Sequence, residues 1–148
     1  MRRLILLFAC MLSVFGISAL DLREGLVRIK VDDLNGRVAL YRLTTVKGSV
    51  YESLLFDTDA RTSALALSVD GRRIKLGETT EYKISVRRSG NGVAIEYASP
   101  IFSLIQKVEF ARSTASRVFD GFKVSYEAKN LASRDMKIAL RQIWDTRL

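Results

Sequence analysis

The sequence predicts an all-β protein, an antiparallel β-sandwich of about nine strands that follows an N-terminal signal helix. Three observations support this prediction. From Leu26 onward, apolar and polar residues alternate with a period of two, as in strands with one buried face. Turn sequences recur roughly every 8 to 12 residues. The chain has 148 residues, 48% of them hydrophobic, which is enough for one domain with its own core.

Residues 1–19 have the layout of a secretory signal peptide. An apolar run over residues 4–17 follows two arginines and precedes two small residues. We therefore expect cleavage after Ser18 or Ala19, a β-sandwich domain over residues 20–148, and a periplasmic or extracellular location. The apolar run is shorter than the ~20 residues of a membrane-spanning helix, which disfavours a retained N-terminal anchor.

Cys10, the only cysteine, lies inside this apolar run. Lipoprotein anchoring at Cys10 is disfavoured, because the apolar segment before it is very short and the residues after it are apolar rather than a polar tether. Cleavage near Ala19 leaves no cysteine, so the mature chain is expected to have no disulfide, no thiol nucleophile and no transmembrane span.

The first predicted strands form a hairpin. Apolar residues fall on every second position of LVRIKVD, residues 26–32, and DLNGRVALYRL carries the chain into a second run. Asn35-Gly36 between such runs indicates a hairpin, since a type I′ turn needs two residues that accept positive φ. SLLF at 53–56 is a further short apolar piece.

Two more hairpins are predicted in the middle of the chain. Asp70-Gly71 joins SALALSVD to RRIKL, and SGNG at 89–92 joins YKISVRR to VAIEYA. The apolar residues expected to point inward are Leu65, Leu67, Val69, Ile74, Leu76, Tyr82, Ile84, Val86, Val93, Ile95 and Tyr97.

Three longer runs complete the predicted fold. IFSLIQKVEFA follows Pro100 and alternates throughout, with Gln106 interrupting its apolar face once, and GFKVSYEAKN repeats the pattern. MKIALRQIW, residues 136–144, contains good helix formers and would also suit a helix, but its alternation favours a strand. The aromatic residues expected in the core, rather than on a sugar-binding surface, are Phe122, Tyr126 and Trp144.

Composition excludes several kinds of chemistry. The chain has 24 lysines and arginines against 16 acidic residues, and it has no histidine. A Ser-His-Asp triad and a histidine-based metal site are therefore impossible, and no glycine-rich phosphate loop is present. We predict a protein that is not an enzyme and that needs no cofactor and no metal. For an exported basic protein, an anionic glycan or an envelope protein is a more suitable partner than nucleic acid.

Four cations form the candidate binding site. Pairing residues 72–76 with residues 82–88 would place them on one outer face, where like charges on facing strands are unfavourable unless an anion is held. Pairing 82–88 with the next run puts Glu96 opposite Ser85 and partly neutralises this patch, so a solvated charge lattice is the alternative. The predicted basic patch consists of Arg73, Lys75, Lys83 and Arg87.

GRVALY, LLFDTDARTSALALSVDGRRIKLG and VSYEAKNLASRDMKIALRQIWDT together resemble the N-terminal part of uncharacterised exported bacterial proteins with a galactose-mutarotase-like β-sandwich. The resemblance covers most of residues 26–146. Mutarotase enzymes use histidines and a glutamate, so that activity is not implied for a chain without histidine. In such proteins the chain continues past the Asp-Thr at 145–146, so the resemblance implies a shortened member, or the leading segment of a larger sandwich with an exposed sheet edge.

The preferred interpretation is thus an exported, non-catalytic β-sandwich that acts as a structural or binding module in the periplasm or cell envelope. The alternative is a fragment of a carbohydrate-binding or carbohydrate-active protein that uses carboxylates such as Asp57, Asp59 or Asp145.

Overall fold

The computed structural model describes residues 19–47, 49–58 and 60–147. Within these residues the chain forms eleven β-strands and no helix. The predicted signal helix lies outside the described residues. The strands are β1 (Ala19–Glu24), β2 (Val27–Asp32), β3 (Val38–Thr45), β4 (Val50–Ser53), β5 (Ala64–Val69), β6 (Arg72–Lys75), β7 (Lys83–Ser89), β8 (Gly92–Ala98), β9 (Phe102–Ala111), β10 (Gly121–Asn130) and β11 (Ile138–Ile143).

The strands form three antiparallel sheets. The first sheet has the order β1-β2-β3-β4, the second β10-β9-β8-β7, and the third β11-β5-β6. The all-β, antiparallel prediction is confirmed, and the predicted number of strands is too low. Two strands are missing from the sequence prediction, β1 at the end of the predicted leader and β4, which ends where the short apolar piece at 53–56 begins. The described part of the chain forms no apolar helix of membrane-spanning length.

Alternation places the core as predicted. In β2, Val27, Ile29 and Val31 are buried while Lys30 between them is exposed. One hydrophobic cluster takes buried residues from all three sheets, and Phe122, Tyr126 and Trp144 pack against it from its margin. The C-terminal run forms the strand β11 rather than a helix.

The first hairpin is confirmed, but its turn is not the two-residue turn that was expected. The loop runs from Asp33 to Arg37, and within it only Gly36 has positive φ, at 69°. The carboxylate of Asp32 stabilises this wider loop, because it accepts hydrogen bonds from the backbone N–H of Leu34 at 2.9 Å and from Nδ2 of Asn35 at 2.6 Å.

The other two hairpins have two-residue turns. Asp70 and Gly71 have φ of 49° and 86°, which is the type I′ pattern. In the SGNG turn only the first central residue, Gly90, has positive φ, at 56°, as a type II′ turn requires.

The expected pairing of residues 72–76 with residues 82–88 is wrong. β6 pairs with β5 in the third sheet, whereas β7 is an edge strand of the second sheet. The chain leaves the third sheet at Gly77, which has φ of 84° and whose added Cβ would lie 2.4 Å from the carbonyl oxygen of Asn35. A residue with a side chain could not make this close approach. After Gly77 the chain continues to β7 in the second sheet and does not form a hairpin with β6.

Candidate functional site

The structure divides the predicted basic patch between two sheets. Arg73 and Lys75 lie on β6, Lys83 and Arg87 lie on β7, and all four side chains are exposed. On β7 the expected register is confirmed, with Ser85 opposite Glu96. The four cations therefore do not share the single sheet face on which the patch was built.

Lys75 has an acidic partner. Its ammonium group lies 2.5 Å from the carboxylate of Glu78, which also accepts a hydrogen bond from Arg37 at 3.2 Å. The hydrogen bond from Lys75, followed by the charges of Lys75 and Arg37, lowers the pKa of Glu78. The positive charge of Lys75 is thus largely compensated within the protein.

Arg73 borders a trough on the outward face of the third sheet. The floor of this trough is the central strand β5, whose outward positions carry the small side chains of Ala66 and Ser68. Arg73 is directly opposite Ser68 on one side, and Arg141 of β11 is directly opposite Ala66 on the other side. The trough has a volume of about 300 Å³ and is lined by both arginines.

Small side chains on β5 are what create this depression. Arg73 and Arg141 lie diagonally across β5, because the β11 residue opposite Ser68 is the small Ala139 and the β6 residue opposite Ala66 is Lys75. The two long arginine side chains therefore border the central strand from opposite sides, two residues out of register. β6 and β11 are two interstrand spacings apart, about 10 Å. With the additional offset of two residues along the strands, the Cα atoms of Arg73 and Arg141 are about 12 Å apart, which still lets two long side chains contact one ligand between them.

Neither Arg73 nor Arg141 has an ion-pair partner in the part of the chain that the structure describes. Within the described ranges, no carboxylate lies within 4.0 Å of the guanidinium group of Arg73 or of Arg141. Arg72, next to Arg73, instead forms an ion pair with Glu81 on the other face of β6. The cationic trough, defined by Arg73, Arg141, Ala66 and Ser68, therefore presents two guanidinium groups that have no carboxylate partner among the described residues.

Arg141 was missed by sequence reasoning. Its strand and its outward position follow from the alternation, but its neighbour β5 is distant in sequence, and nothing local identifies that partner. The sequence feature that could have indicated the trough is the set of small residues at alternate positions of an otherwise apolar run, Ala64, Ala66 and Ser68.

A second charged cluster lies on the first sheet and is internally paired. Arg28 donates hydrogen bonds of 2.8 and 2.5 Å to the carboxylate of Asp21, and its guanidinium carbon lies 5.2 Å from the ring centroid of Tyr41 and 5.9 Å from that of Tyr51. The hydrogen bond from Arg28 lowers the pKa of Asp21. Because its ions neutralise each other, this cluster is a weaker candidate for binding a charged ligand.

Of the three carboxylates named for the carbohydrate-active alternative, the structure describes Asp57 and Asp145. Asp57 lies 3.3 Å from Arg61, and Asp59 lies outside the described residues. The backbone carbonyl of Asp145 accepts a hydrogen bond of 2.8 Å from Phe56, which brings the segments of Asp57 and Asp145 together. Among the residues that the structure describes, no three histidine, cysteine, aspartate or glutamate side chains are grouped as a metal site would require.

Comparisons with known proteins give no relative. No protein-family model, no curated protein sequence and no solved structure matches this chain.

Proposed function

We propose that this chain is an exported, non-catalytic β-sandwich that binds an anionic glycan through the cationic trough. The observation that carries the proposal is that Arg73 and Arg141 flank a depression floored by small side chains and lack a carboxylate partner among the described residues.

The sandwich arrangement is supported by the core. Buried side chains from β2 and β3 of the first sheet, from β8 and β9 of the second, and from β5 of the third belong to one cluster. Sheets that bury one face each against a common core form stacked layers. The apolar leader sequence supports export, and the resemblance to exported mutarotase-like sandwiches agrees with both proposals.

An anionic ligand is favoured by the chemistry of arginine. Each guanidinium group presents a planar set of N–H donors that matches a carboxylate or sulfate with two parallel hydrogen bonds. The trough is open to solvent, so each contact is screened by salt and contributes modestly. A glycan that repeats its carboxylates along a chain would compensate for weak single contacts.

The test is a binding measurement with polygalacturonate as the anionic glycan and a neutral glucan as the control. We expect binding to polygalacturonate and no binding to the neutral glucan. The affinity for polygalacturonate should fall steeply between low and physiological salt. Arg73→Glu and Arg141→Glu should each weaken binding by about tenfold or more, since each replaces an attraction by a repulsion.

Arg87→Glu is the matched control for these variants. It makes the same charge change on an exposed strand residue of another sheet, so its effect reports net charge alone. Equal binding of the neutral glucan would contradict the proposal. So would a loss of binding in Arg87→Glu as large as the loss in Arg73→Glu.

A carbohydrate-active fragment is the second candidate, favoured by the contact between Phe56 and Asp145 that brings two carboxylate-bearing segments together. It predicts turnover of a glycoside that is lost in Asp57→Asn or Asp145→Asn. Absence of turnover with a panel of chromogenic glycosides would remove this candidate and leave the binding proposal unaffected.

A further inference from the structure

The second sheet ends in a long open edge. β10 is the outermost strand of this sheet and pairs with β9 along all ten of its residues, Gly121–Asn130. Within the residues described, no other strand pairs with its outer side. Strands are typically about 5 to 6 residues long, and a long edge with unpaired backbone groups is a template for another strand.

The apolar face of β10 is only half covered. Phe122, Val124 and Tyr126 pack against the core but remain partly exposed, whereas Leu104 and Val108, on the same face of β9, are buried. A further strand beside β10 would therefore cover apolar surface as well as supply hydrogen-bond partners.

The charges on β10 are complementary to those of a second, antiparallel β10. In a two-fold arrangement centred on Ser125, Lys123 of each copy stands opposite Glu127 of the other copy, and Val124 stands opposite Tyr126. Lys123 is also opposite Glu109 in β9, and Glu127 forms an ion pair of 3.3 Å with Lys107. The joined sheet would thus carry a row of alternating charges across the interface.

We propose that two copies of this chain pair edge to edge through β10, in this register, and form a continuous eight-stranded sheet. Neighbouring registers that keep the same faces aligned are worse. A two-fold axis at Tyr126 places Lys123 opposite Lys129, and an axis at Glu127 places two glutamates together. An axis at Val124 removes the two Lys123–Glu127 pairs without replacing them.

The other edge of the same sheet is unsuitable for such pairing. β7 carries Lys83, Arg87 and Arg88 on exposed positions, so a second copy of β7 would meet only positive charge. Cations on an edge strand discourage sheet-to-sheet association. The contrast between the two edges favours β10 as the self-association surface.

Sedimentation velocity of the full chain, purified as the host processes it, tests the proposal. We expect a concentration-dependent monomer–dimer equilibrium. Lys123→Glu and Glu127→Lys should each weaken dimerisation by roughly tenfold or more, because two cross-strand pairs change from attractive to repulsive. The double variant Lys123→Glu/Glu127→Lys exchanges the charges and should restore the dimer. Lys129→Glu is the control, since its residue stands opposite Gly121 in this register.

A cross-linking experiment tests the register itself. Ser125→Cys places two cysteines opposite each other on the two-fold axis, at the Cα separation of about 5 Å that neighbouring strands have and a disulfide accepts. We expect a covalent dimer on mild oxidation, and none from Lys129→Cys. A monomer at every concentration would overturn the proposal, as would a dimer that survives both single charge reversals and does not cross-link at Ser125.

Discussion

Replacement of Gln142 by leucine should destabilise the protein more than replacement of its buried partner Gln106. Gln106 is the polar residue that interrupts the apolar face of β9, and it is 2% exposed. Its Nε2 donates a hydrogen bond of 3.3 Å to Oε1 of Gln142 on β11, and the same oxygen accepts one of 2.9 Å from the hydroxyl of Tyr126. Nε2 of Gln142 in turn donates to the backbone carbonyl of Ala64 at 3.2 Å. Gln142 is thus the centre of a network that joins the second and third sheets.

The size of the destabilisation by Gln142→Leu depends on which groups lose their hydrogen-bond partners. Gln142→Leu leaves the buried amide of Gln106 without an acceptor, at about 1–3 kcal/mol, and removes the hydrogen bond of Tyr126, at about 1 kcal/mol. We expect a total of about 2–4 kcal/mol. A neighbouring cavity of ≈ 20 Å³, bordered by both glutamines, has room for one water. A water there would accept the hydrogen bond of Gln106 and keep the loss of stability at about 2 kcal/mol.

Gln106→Leu removes the buried polar group itself and leaves the hydroxyl of Tyr126 bonded to Gln142, so its cost should stay within about 1 kcal/mol. The double variant Gln106→Leu/Gln142→Leu should therefore be more stable than Gln142→Leu alone. Urea unfolding followed by the fluorescence of the single tryptophan, Trp144, measures these differences. The account of the network would be refuted if both single variants lost the same free energy of unfolding. It would also be refuted if the loss in the double variant were the sum of the two single losses.

Two further predictions concern turns. Gly36→Ala should lower the free energy of unfolding by about 2–4 kcal/mol, because the residue has φ of 69° and its new Cβ would lie 2.6 Å from the hydroxyl of Tyr97. Gly71→Ala, at φ of 86° with nothing within 4 Å of the new Cβ, should lower it by only about 1–2 kcal/mol, from backbone strain alone. Urea unfolding of both variants separates the steric effect from the backbone effect. The backbone N–H of Lys137 lowers the pKa of Asp70 below 3.8, so this carboxylate stabilises the fold above that pH and loses its contribution as pH falls through the lowered value. Stability measured against pH should therefore converge for wild type and Asp70→Asn in acid, and a difference that does not narrow as the pH is lowered would contradict this expectation.

Local alternation was sufficient to predict nine of the eleven strands and their buried faces. The period of two in β2 and β9 depends only on neighbouring residues, and it correctly identified Val27, Ile29, Leu104 and Val108 as core. The Asp70-Gly71 turn was predictable for the same reason, since its conformation is a property of two adjacent residues.

The pairing of distant strands was not predictable in this way. β5 lies between β6, its neighbour in sequence, and β11, whose Gln142 is 78 residues from Ala64. No local feature of residues 136–144 names β5 as their partner. The cationic trough depends on that pairing, which is why Arg73 was recognised as a candidate while Arg141 was not.

The trough and the open edge of β10 lie on different sheets, so anion binding and dimerisation should be separable. A dimer carries two troughs, and a long polyanion that reaches both would gain affinity of about 10² or more without any new contact. Wild type and the monomeric variant Lys123→Glu should therefore bind a short galacturonate oligomer equally well, and wild type should bind long polygalacturonate more tightly. Isothermal titration with both ligands measures this difference. An equal affinity of the two proteins for the long polymer would show that the two troughs do not act together, even where each of them binds.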